Sequence, residues 1–215
     1  MDFETARYNM VEQQVRPWEV LDQAVLDRLA AIPRERFVPD DYLRLAYADT
    51  RIPLGEGDVM MPPREEARLL QALALTPRDH LLEVGTGSGY LAALAAGLAR
   101  RVTTVEIAPE RKARAERSLA DYDNVEVIEG DAVRGWEADA PYDAIAVTGS
   151  LPVLDDAFLR QLKPRGRLFV VVGEPPAMEA RLVTRTGAAD WATESLFETV
   201  LPPLVGAKRP NQFEF

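Results

Sequence analysis

The segment Leu81 to Gly89, with the sequence LLEVGTGSG, limits the possible folds more than any other part of this chain. A short apolar strand pattern runs into three glycines at alternate positions, and an Ala- and Leu-rich helix pattern follows. Glycine has no Cβ, so the backbone can turn sharply and approach a ligand closely. The first turn of the following helix offers free N–H groups to an anionic group. The segment therefore predicts the edge of an α/β sheet at which a nucleotide-like ligand binds.

Strand and helix patterns alternate along the chain from about residue 80. The next strand is Val102 to Glu106, followed by the amphipathic helix APERKARAERSLADY. Three more apolar strands are VEVIEGD, DAIAVTGS and RLFVVVGE, with a short helix at Phe158 to Leu162 before the last. Apolar strands between helices predict an α/β fold with a mostly parallel sheet covered on both faces. The segments ARLVTRT and WATESLFETVLPPL predict a C-terminal antiparallel strand pair.

The first 77 residues have a different character. Apolar residues recur at helical spacing from Val20 to Leu29, and a second helix is predicted from about Arg64 to Leu75. Between them, RIPLGEGDVMMPP is rich in glycine and proline and predicts an exposed or ligand-facing loop. The predicted organisation is a helical and loop extension, residues 1–77, and a Rossmann-like domain, residues 78–215, in one compact unit.

Composition restricts the chemistry of the protein. The 215 residues include no cysteine and one histidine, His80. Disulfides, CxxC redox pairs, thiolate nucleophiles and cysteine zinc sites are therefore excluded, and a Ser-His-Asp relay or His-rich metal site is disfavoured. We expect no metal, and we expect the reactivity to come from an organic cofactor.

The charge balance restricts the partners. Lysine and arginine total 25 against 35 aspartate and glutamate, a net charge of −10. An acidic surface repels phosphate backbones, so no nucleic-acid partner is expected. The N-terminus MDFETARYNM lacks a signal-peptide pattern, and apolar runs such as Leu168 to Val172 are too short to span a bilayer. These patterns predict no membrane partner and a cytoplasmic location.

The glycine pattern distinguishes between ligands. A dinucleotide GxGxxG motif needs glycine at position 90, where this chain has Tyr90, so NAD and FAD are disfavoured. The GxGxG pattern after an acidic residue resembles the first motif of Rossmann-like S-adenosylmethionine methyltransferases. Two acids at successive strand ends fit that interpretation. Glu106 is placed to accept the ribose hydroxyl hydrogens, and Asp131 to receive the adenine amino group.

Longer segments resemble the protein-L-isoaspartate O-methyltransferase family. They are AVLDRLAAIPRERFVP, AYADTRIPLGEG, LLEVGTGSGYLAALAAGLA, YDAIAVT and LRQLKPRGRLFVVVGE, within residues 10–174, with a looser likeness in VLPPL. The resemblance implies S-adenosyl-L-methionine as cofactor and the free carboxylate of an L-isoaspartyl residue in a damaged protein as methyl acceptor. The cofactor-binding residues that follow are Val59, Met60, Gly85, Thr86, Gly87, Gly89, Glu106, Asp131 and Ala132.

This sequence departs from the family at the acceptor end. Counting back without gaps from Leu75 to Pro77 places the family's Thr-Ile-Ser-Gln-Pro stretch on residues 59–63. Met61 therefore stands at the position of the family's active-site serine, and Val59 at that of its threonine. We name Met61 as the catalytic position, and we expect the N-terminal extension to contribute to the acceptor site.

Three hypotheses follow from the missing serine. Arg64, Thr148 or Ser150 replaces it and isoaspartyl activity is kept. Alternatively, the acceptor is a different carboxylate or a small molecule in a more apolar pocket lined by Met60 and Met61. As a third hypothesis, the chain binds the cofactor as a regulatory protein without catalysis. The sequence predicts no oligomeric state.

Three minor predictions complete the sequence analysis. His80 is expected to lie at the surface or at a sheet edge, and Glu110 to Arg117 to form a solvated helix face with i,i+4 pairs. The ending GAKRPNQFEF has no periodicity and is expected to be a mobile or docking tail.

Overall fold

A seven-stranded sheet forms the centre of the computed structural model, which describes residues 2–209. The strands are β3 His80–Val84, β4 Arg101–Glu106, β5 Val125–Glu129, β6 Tyr142–Leu151, β7 Leu162–Glu174, β8 Ala177–Arg185 and β9 Trp191–Glu198. Their order in the sheet is β5-β4-β3-β6-β7-β8-β9. The first five strands in this order are parallel, and β8 and β9 are antiparallel to their neighbours. The predicted α/β class, mostly parallel sheet and C-terminal antiparallel pair are confirmed.

The order of the strands reverses beside β3. From β3 the chain moves outward to β4 and β5, then returns to place β6 on the other side of β3. Ligands of open α/β sheets bind at such a switch point, outside the carboxyl ends of the strands. The topology therefore locates the functional cleft at the ends of β3, β4, β5 and β6.

Helices cover both faces of the sheet, and the alternating side chains of each strand divide between two cores. On β3, Leu81 packs with the N-terminal helices, whereas Leu82 and Val84 pack with Phe158 on the opposite face. The helices are α1 Phe3–Met10, α2 Gln23–Ala31, α3 Pro63–Leu73, α4 Tyr90–Ala96, α5 Pro109–Ser118 and α6 Asp156–Arg160. Residues of helices α1 to α3 pack in the same hydrophobic core as one face of the sheet. The predicted division between an extension, residues 1–77, and a Rossmann-like domain, residues 78–215, stays a prediction. Within residues 2–209, every helix is too short or too polar to cross a membrane.

The segment RIPLGEGDVMMPP is a hairpin, which corrects the prediction of a loop. Strands β1 Ile52–Gly55 and β2 Asp58–Met60 are antiparallel. Gly55 and Gly57 have φ values of +99° and +88°, so glycine supplies the tight turn between two very short strands. Met60 and Met61 are 4% and 5% exposed, so they pack inward and do not form an exposed loop.

His80 is buried, so its predicted place at the surface or a sheet edge is wrong. It begins β3, and its Nε2 lies 2.9 Å from Thr103 Oγ1. Its ring packs edge-on against that of Tyr142. The physical reason is that β3 is flanked by β4 and β6. Two further predictions concern α5 and the C-terminal tail. Helix α5 has the predicted charged face, with an i,i+4 ion pair between Lys112 and Glu116. Of the predicted tail, Pro210 to Phe215 lie outside the described residues.

A buried arginine joins the N-terminal segment to the hairpin and to α3. Arg34 is fully buried, and its Nη1 donates to Glu66 Oε2 at 2.8 Å. Its Nη2 donates to the Met61 carbonyl at 2.6 Å and its Nε to the Ala46 carbonyl at 2.9 Å. The guanidinium also lies 4.8 Å from the centre of the Tyr90 ring. Arg34 therefore fixes the backbone at Met61.

Arg34→Met is expected to lower the free energy of unfolding by about 3–5 kcal/mol, because Glu66 then lies buried without its cation. The double variant R34M/E66L removes the unpaired charge and is expected to lose less than the single variant. Urea denaturation measures both free energies. Equal losses in the two variants would show that the buried charge is not the cause.

Candidate active site

A cleft of about 690 Å³ opens at the carboxyl ends of the central strands, as the topology requires. The predicted residues that line it are Val59, Gly85, Gly87, Glu106, Asp131 and Ala132. The hairpin forms one wall through Leu54 and Asp58, and the C-terminal residues Pro202 to Val205 form another.

The glycine turn between β3 and α4 adopts a backbone that other residues rarely adopt. Gly85, Gly87 and Gly89 have φ values of +92°, +55° and +84°. A Cβ built on Gly85 would lie 2.5 Å from Thr148 Oγ1, so a side chain there would collide with the Thr148 hydroxyl. Gly85 and Gly87 present bare backbone to the cleft, whereas Gly89 precedes α4 and packs against Leu119. Gly89 therefore shapes the turn without lining the cleft.

Glu106 ends β4 and is bound to the glycine turn. Its Oε2 accepts the Gly87 N–H at 3.0 Å. Its Oε1 accepts the Ala108 N–H at 3.0 Å and the Nε–H of Arg111 at 3.1 Å. Glu106, which the sequence predicted from its spacing after the glycine turn, is therefore oriented by one backbone N–H on each of its carboxylate oxygens.

Asp131 and Ala132 border the cleft just beyond β5. Asp131 Oδ1 accepts the Val133 N–H at 3.0 Å, which fixes one side of the carboxylate, and the residue is exposed. Asp131 therefore lies in the same cleft as Glu106, at the end of the neighbouring strand, as the sequence predicted.

A smaller pocket of about 310 Å³, which we call the inner pocket, adjoins the cleft. The two share Leu54, Val59, Gly85, Gly87 and Thr148. The inner pocket adds the predicted residues Met60, Met61 and Thr86. The Thr86 hydroxyl lies 2.7 Å from Thr104 Oγ1, so it bonds to β4. Met61 and the glycine turn thus line the same pocket, and the catalytic role of position 61 stays a prediction.

The candidates for the missing serine lie in different places. Thr148 lines both the cleft and the inner pocket, but its hydroxyl points to the carbonyls of Val84 and Gly85, at 2.9 and 2.6 Å. Ser150 is fully buried and donates to the Leu201 carbonyl. Arg64 borders neither space; it pairs with Asp49 at 2.6 Å.

Sequence reasoning missed Ser88, a hydroxyl that borders the inner pocket within the glycine turn. Its Oγ accepts the Tyr90 N–H at 3.2 Å, and within residues 2–209 no acceptor lies within hydrogen-bond distance of its own hydroxyl hydrogen. The signal was present in the GTGSG motif itself, since Ser88 is its one serine.

Arg111 was also missed. Its guanidinium borders the cleft and contacts three carboxylates, those of Glu56, Asp58 and Glu106. It belongs to the helix that the sequence assigned to a solvated face, and periodicity alone does not separate it from the other charged residues of α5.

Two buried carboxyl groups, Glu66 and Glu83, border the inner pocket. Burial raises the pKa of Glu83 to about 8, against a hydrogen bond with Thr104 that lowers it. Burial also raises the pKa of Glu66 to about 7, although the Arg34 guanidinium opposes the shift. Within the described residues Glu83 Oε2 has no hydrogen-bond partner. Both groups are therefore more easily protonated than an ordinary glutamate.

The raised pKa of Glu83 predicts how stability changes with pH. The folded state holds this proton up to about pH 8, whereas an unfolded glutamate loses it near 4.5. The free energy of unfolding is therefore expected to fall as pH rises toward 8. His80, with its pKa lowered by burial, acts in the opposite direction only up to its ordinary pKa of 6.5.

Urea unfolding between pH 6.5 and 8 measures this decline, to which Glu66 also contributes up to about pH 7, and Glu83→Gln is expected to make the decline less steep. Asp143→Asn is a suitable control, because the pKa of Asp143 is lowered and the group stays ionised in that range. An equal slope in wild type and the Glu83 variant would contradict the assignment.

Comparison with known proteins identifies the family. The family model for protein-L-isoaspartate(D-aspartate) O-methyltransferase matches residues 6–209. A protein-L-isoaspartate O-methyltransferase from Gloeobacter violaceus is 43% identical over 180 residues, covering 82% of this chain and 88% of the relative. One from Rhodopseudomonas palustris is 40% identical over 208 residues, 95% of each chain.

A solved structure agrees at the level of the fold. A Plasmodium falciparum structure, assigned to protein-L-isoaspartate O-methyltransferase and in complex with S-adenosyl-L-homocysteine, superposes with a TM-score of 0.80 at 18% identity. The match covers 95% of this chain and 98% of that chain. The resemblance found in the sequence is confirmed. The chain belongs to the protein-L-isoaspartate O-methyltransferase family of S-adenosylmethionine-dependent enzymes.

Proposed function

We propose that this protein transfers the methyl group of S-adenosyl-L-methionine to the free carboxylate of L-isoaspartyl residues in damaged proteins or peptides. The observation that carries the proposal is the cleft, in which the glycine turn, Glu106 and Asp131 meet at one edge of the sheet. The acceptor class comes from the family to which the chain belongs.

The residues of the cleft fit the cofactor. Gly85 and Gly87 present bare backbone to the cleft, Glu106 is placed for the ribose hydroxyls and Asp131 for the adenine amino group. When bound, the cofactor supplies an electrophilic methyl group on a sulfonium. The inner pocket, with Met60 and Met61, continues from the cleft toward the acceptor side.

The acceptor needs no general base in this chain. A carboxylate with an ordinary pKa of about 4 is already ionised at neutral pH. The protein therefore has to orient the nucleophile and exclude water, and orientation can contribute as much as about 7–11 kcal/mol to a rate. Met60 and Met61 provide a buried apolar wall. Ser88 offers the hydroxyl donor that position 61 no longer supplies.

A second candidate acceptor is a different carboxylate or a small molecule. Glu66 and Glu83 border the inner pocket, and their negative charge, when ionised, disfavours an anionic acceptor. The same two groups lose much of this effect when they hold a proton, which their raised pKa values favour. This balance makes isoaspartyl peptides the first acceptors to test.

The direct assay follows transfer of labelled methyl from S-adenosyl-L-methionine to an isoaspartyl peptide, with the aspartyl peptide of the same sequence as control. We expect methyl esterification of the isoaspartyl peptide alone. Cofactor binding without transfer to this peptide would contradict the isoaspartyl role and favour the second acceptor class or a regulatory protein.

Asp131→Ala replaces an exposed side chain and is expected to weaken cofactor binding about tenfold, because one charged hydrogen bond is lost.

Met61→Ser is expected to raise kcat/KM for the isoaspartyl peptide about tenfold, because a hydroxyl can donate a charge-assisted hydrogen bond to the acceptor. Met60→Ser alters a neighbouring buried residue that lines the same pocket, so it controls for loosened packing and should give no gain in kcat/KM.

Ser88→Ala is expected to lower kcat/KM for the isoaspartyl peptide by about tenfold. An unchanged rate in Ser88→Ala would remove Ser88 from the acceptor site.

A further inference from the structure

Arg111 forms a bridge across the mouth of the cleft. Its Nε donates to Glu106 Oε1 at 3.1 Å on one side. On the hairpin side, its Nη2 lies 2.8 Å from Asp58 Oδ2 and its Nη1 lies 3.2 Å from Glu56 Oε2. The Arg111 side chain is 13% exposed and that of Glu106 is 4% exposed, so their ion pair is shielded from water, whereas Glu56 is 80% exposed.

The hydrogen-bond capacity of Glu106 is nearly full. A carboxylate has about four lone-pair positions. Three are taken by the Gly87 N–H, the Ala108 N–H and Arg111 Nε, and both positions on Oε1 are among them. One position remains, on Oε2, whereas a ribose offers two hydroxyl hydrogens.

If both ribose hydroxyls are to donate to Glu106, one of the three existing donors has to leave the carboxylate. Two of the three donors are backbone N–H groups, one within the glycine turn and one just before α5. Moving either would deform the turn or the start of the helix. Arg111 is the donor on a flexible side chain, and it already has two other carboxylate partners on the hairpin.

We propose that Arg111 is a positioning residue that competes with the ribose of the cofactor for Glu106 and moves fully onto the hairpin when the ribose binds. The inference rests on the proposed function, since it takes Glu106 as the ribose-binding acid. It joins cofactor binding to the wall that carries Val59 and Met60, because Asp58 begins the strand that contains both.

The geometry predicts opposite effects on the two sides of the bridge. Arg111→Met removes the competitor, so S-adenosyl-L-homocysteine is expected to bind about fivefold to tenfold more tightly. Asp58→Asn weakens the alternative site of the guanidinium, so Arg111 stays on Glu106 and binding is expected to weaken about threefold. S-adenosyl-L-homocysteine is used because its zwitterionic tail carries no net charge, which limits the effect of changing the charge of the cleft.

Isothermal titration calorimetry with this ligand and with its 2′-deoxyribose analogue separates competition from a general structural effect. The analogue has one ribose hydroxyl, which the remaining position on Glu106 Oε2 accepts without displacing Arg111. We therefore expect the Kd of the analogue to change less than twofold in Arg111→Met. Arg101→Met is the matched control, because Arg101 also bridges two carboxylates, Glu126 and Asp139, and does not line the cleft.

The inference is overturned if the Kd values of both ligands change by the same factor in Arg111→Met. It is also overturned if S-adenosyl-L-homocysteine binds this variant no more tightly than it binds wild type. Should Arg111→Met fail to fold, the sign of the Asp58→Asn effect decides, and unchanged or tighter binding overturns the inference. If wild type binds neither ligand, the cofactor assignment fails along with it. If wild type binds S-adenosyl-L-homocysteine and the Kd is unchanged in Arg111→Met, only the proposed role of Arg111 fails.

Discussion

The left-handed backbone of the glycine turn is the constraint on which the site depends. It forces glycine at alternate positions, and its geometry is held from two sides. Glu106 accepts the Gly87 N–H from the end of β4, while Thr148 on β6 donates to the carbonyls of Val84 and Gly85. The ends of three neighbouring strands are thereby fixed to one another. The cleft is consequently formed by the strand ends of the central sheet, with a hairpin and a C-terminal segment added as walls.

The acceptor side depends on a second buried interaction. Arg34 fixes the Met61 carbonyl and the carboxylate of Glu66, and so it holds the hairpin against α3. The backbone at Met61 is therefore held by a buried charged side chain. Two buried carboxyl groups, Glu66 and Glu83, border the inner pocket, and their protonation sets its charge. Under the proposed function, the chain combines a cofactor cleft with an acceptor pocket that carries a thioether where the family resemblance implies a serine.

Much of the fold could be predicted from the sequence, because its determinants are local. Strand and helix periods, the glycine spacing and the acids at strand ends are all visible in short segments, and the structure brings Gly85, Gly87, Glu106 and Asp131 together. The errors come from tertiary context. His80 is buried because β3 is a central strand, which no local pattern reveals. The sequence predicts a loop at the hairpin, because the two strands are very short and the glycines and prolines resemble those of a turn.

Arg111 shows the same limit for the site, since its role depends on carboxylates more than fifty residues away as well as on Glu106. The central claim, that Glu106 and Asp131 hold the nucleoside while Met61 faces the reacting end, is tested most directly by a crystal structure with S-adenosyl-L-homocysteine. We expect both ribose hydroxyls within about 3 Å of Glu106, the adenine amino group within about 3 Å of Asp131, and the sulfur directed toward Met61. A ligand bound with its sulfur away from the inner pocket, or with its ribose not bonded to Glu106, would contradict the account.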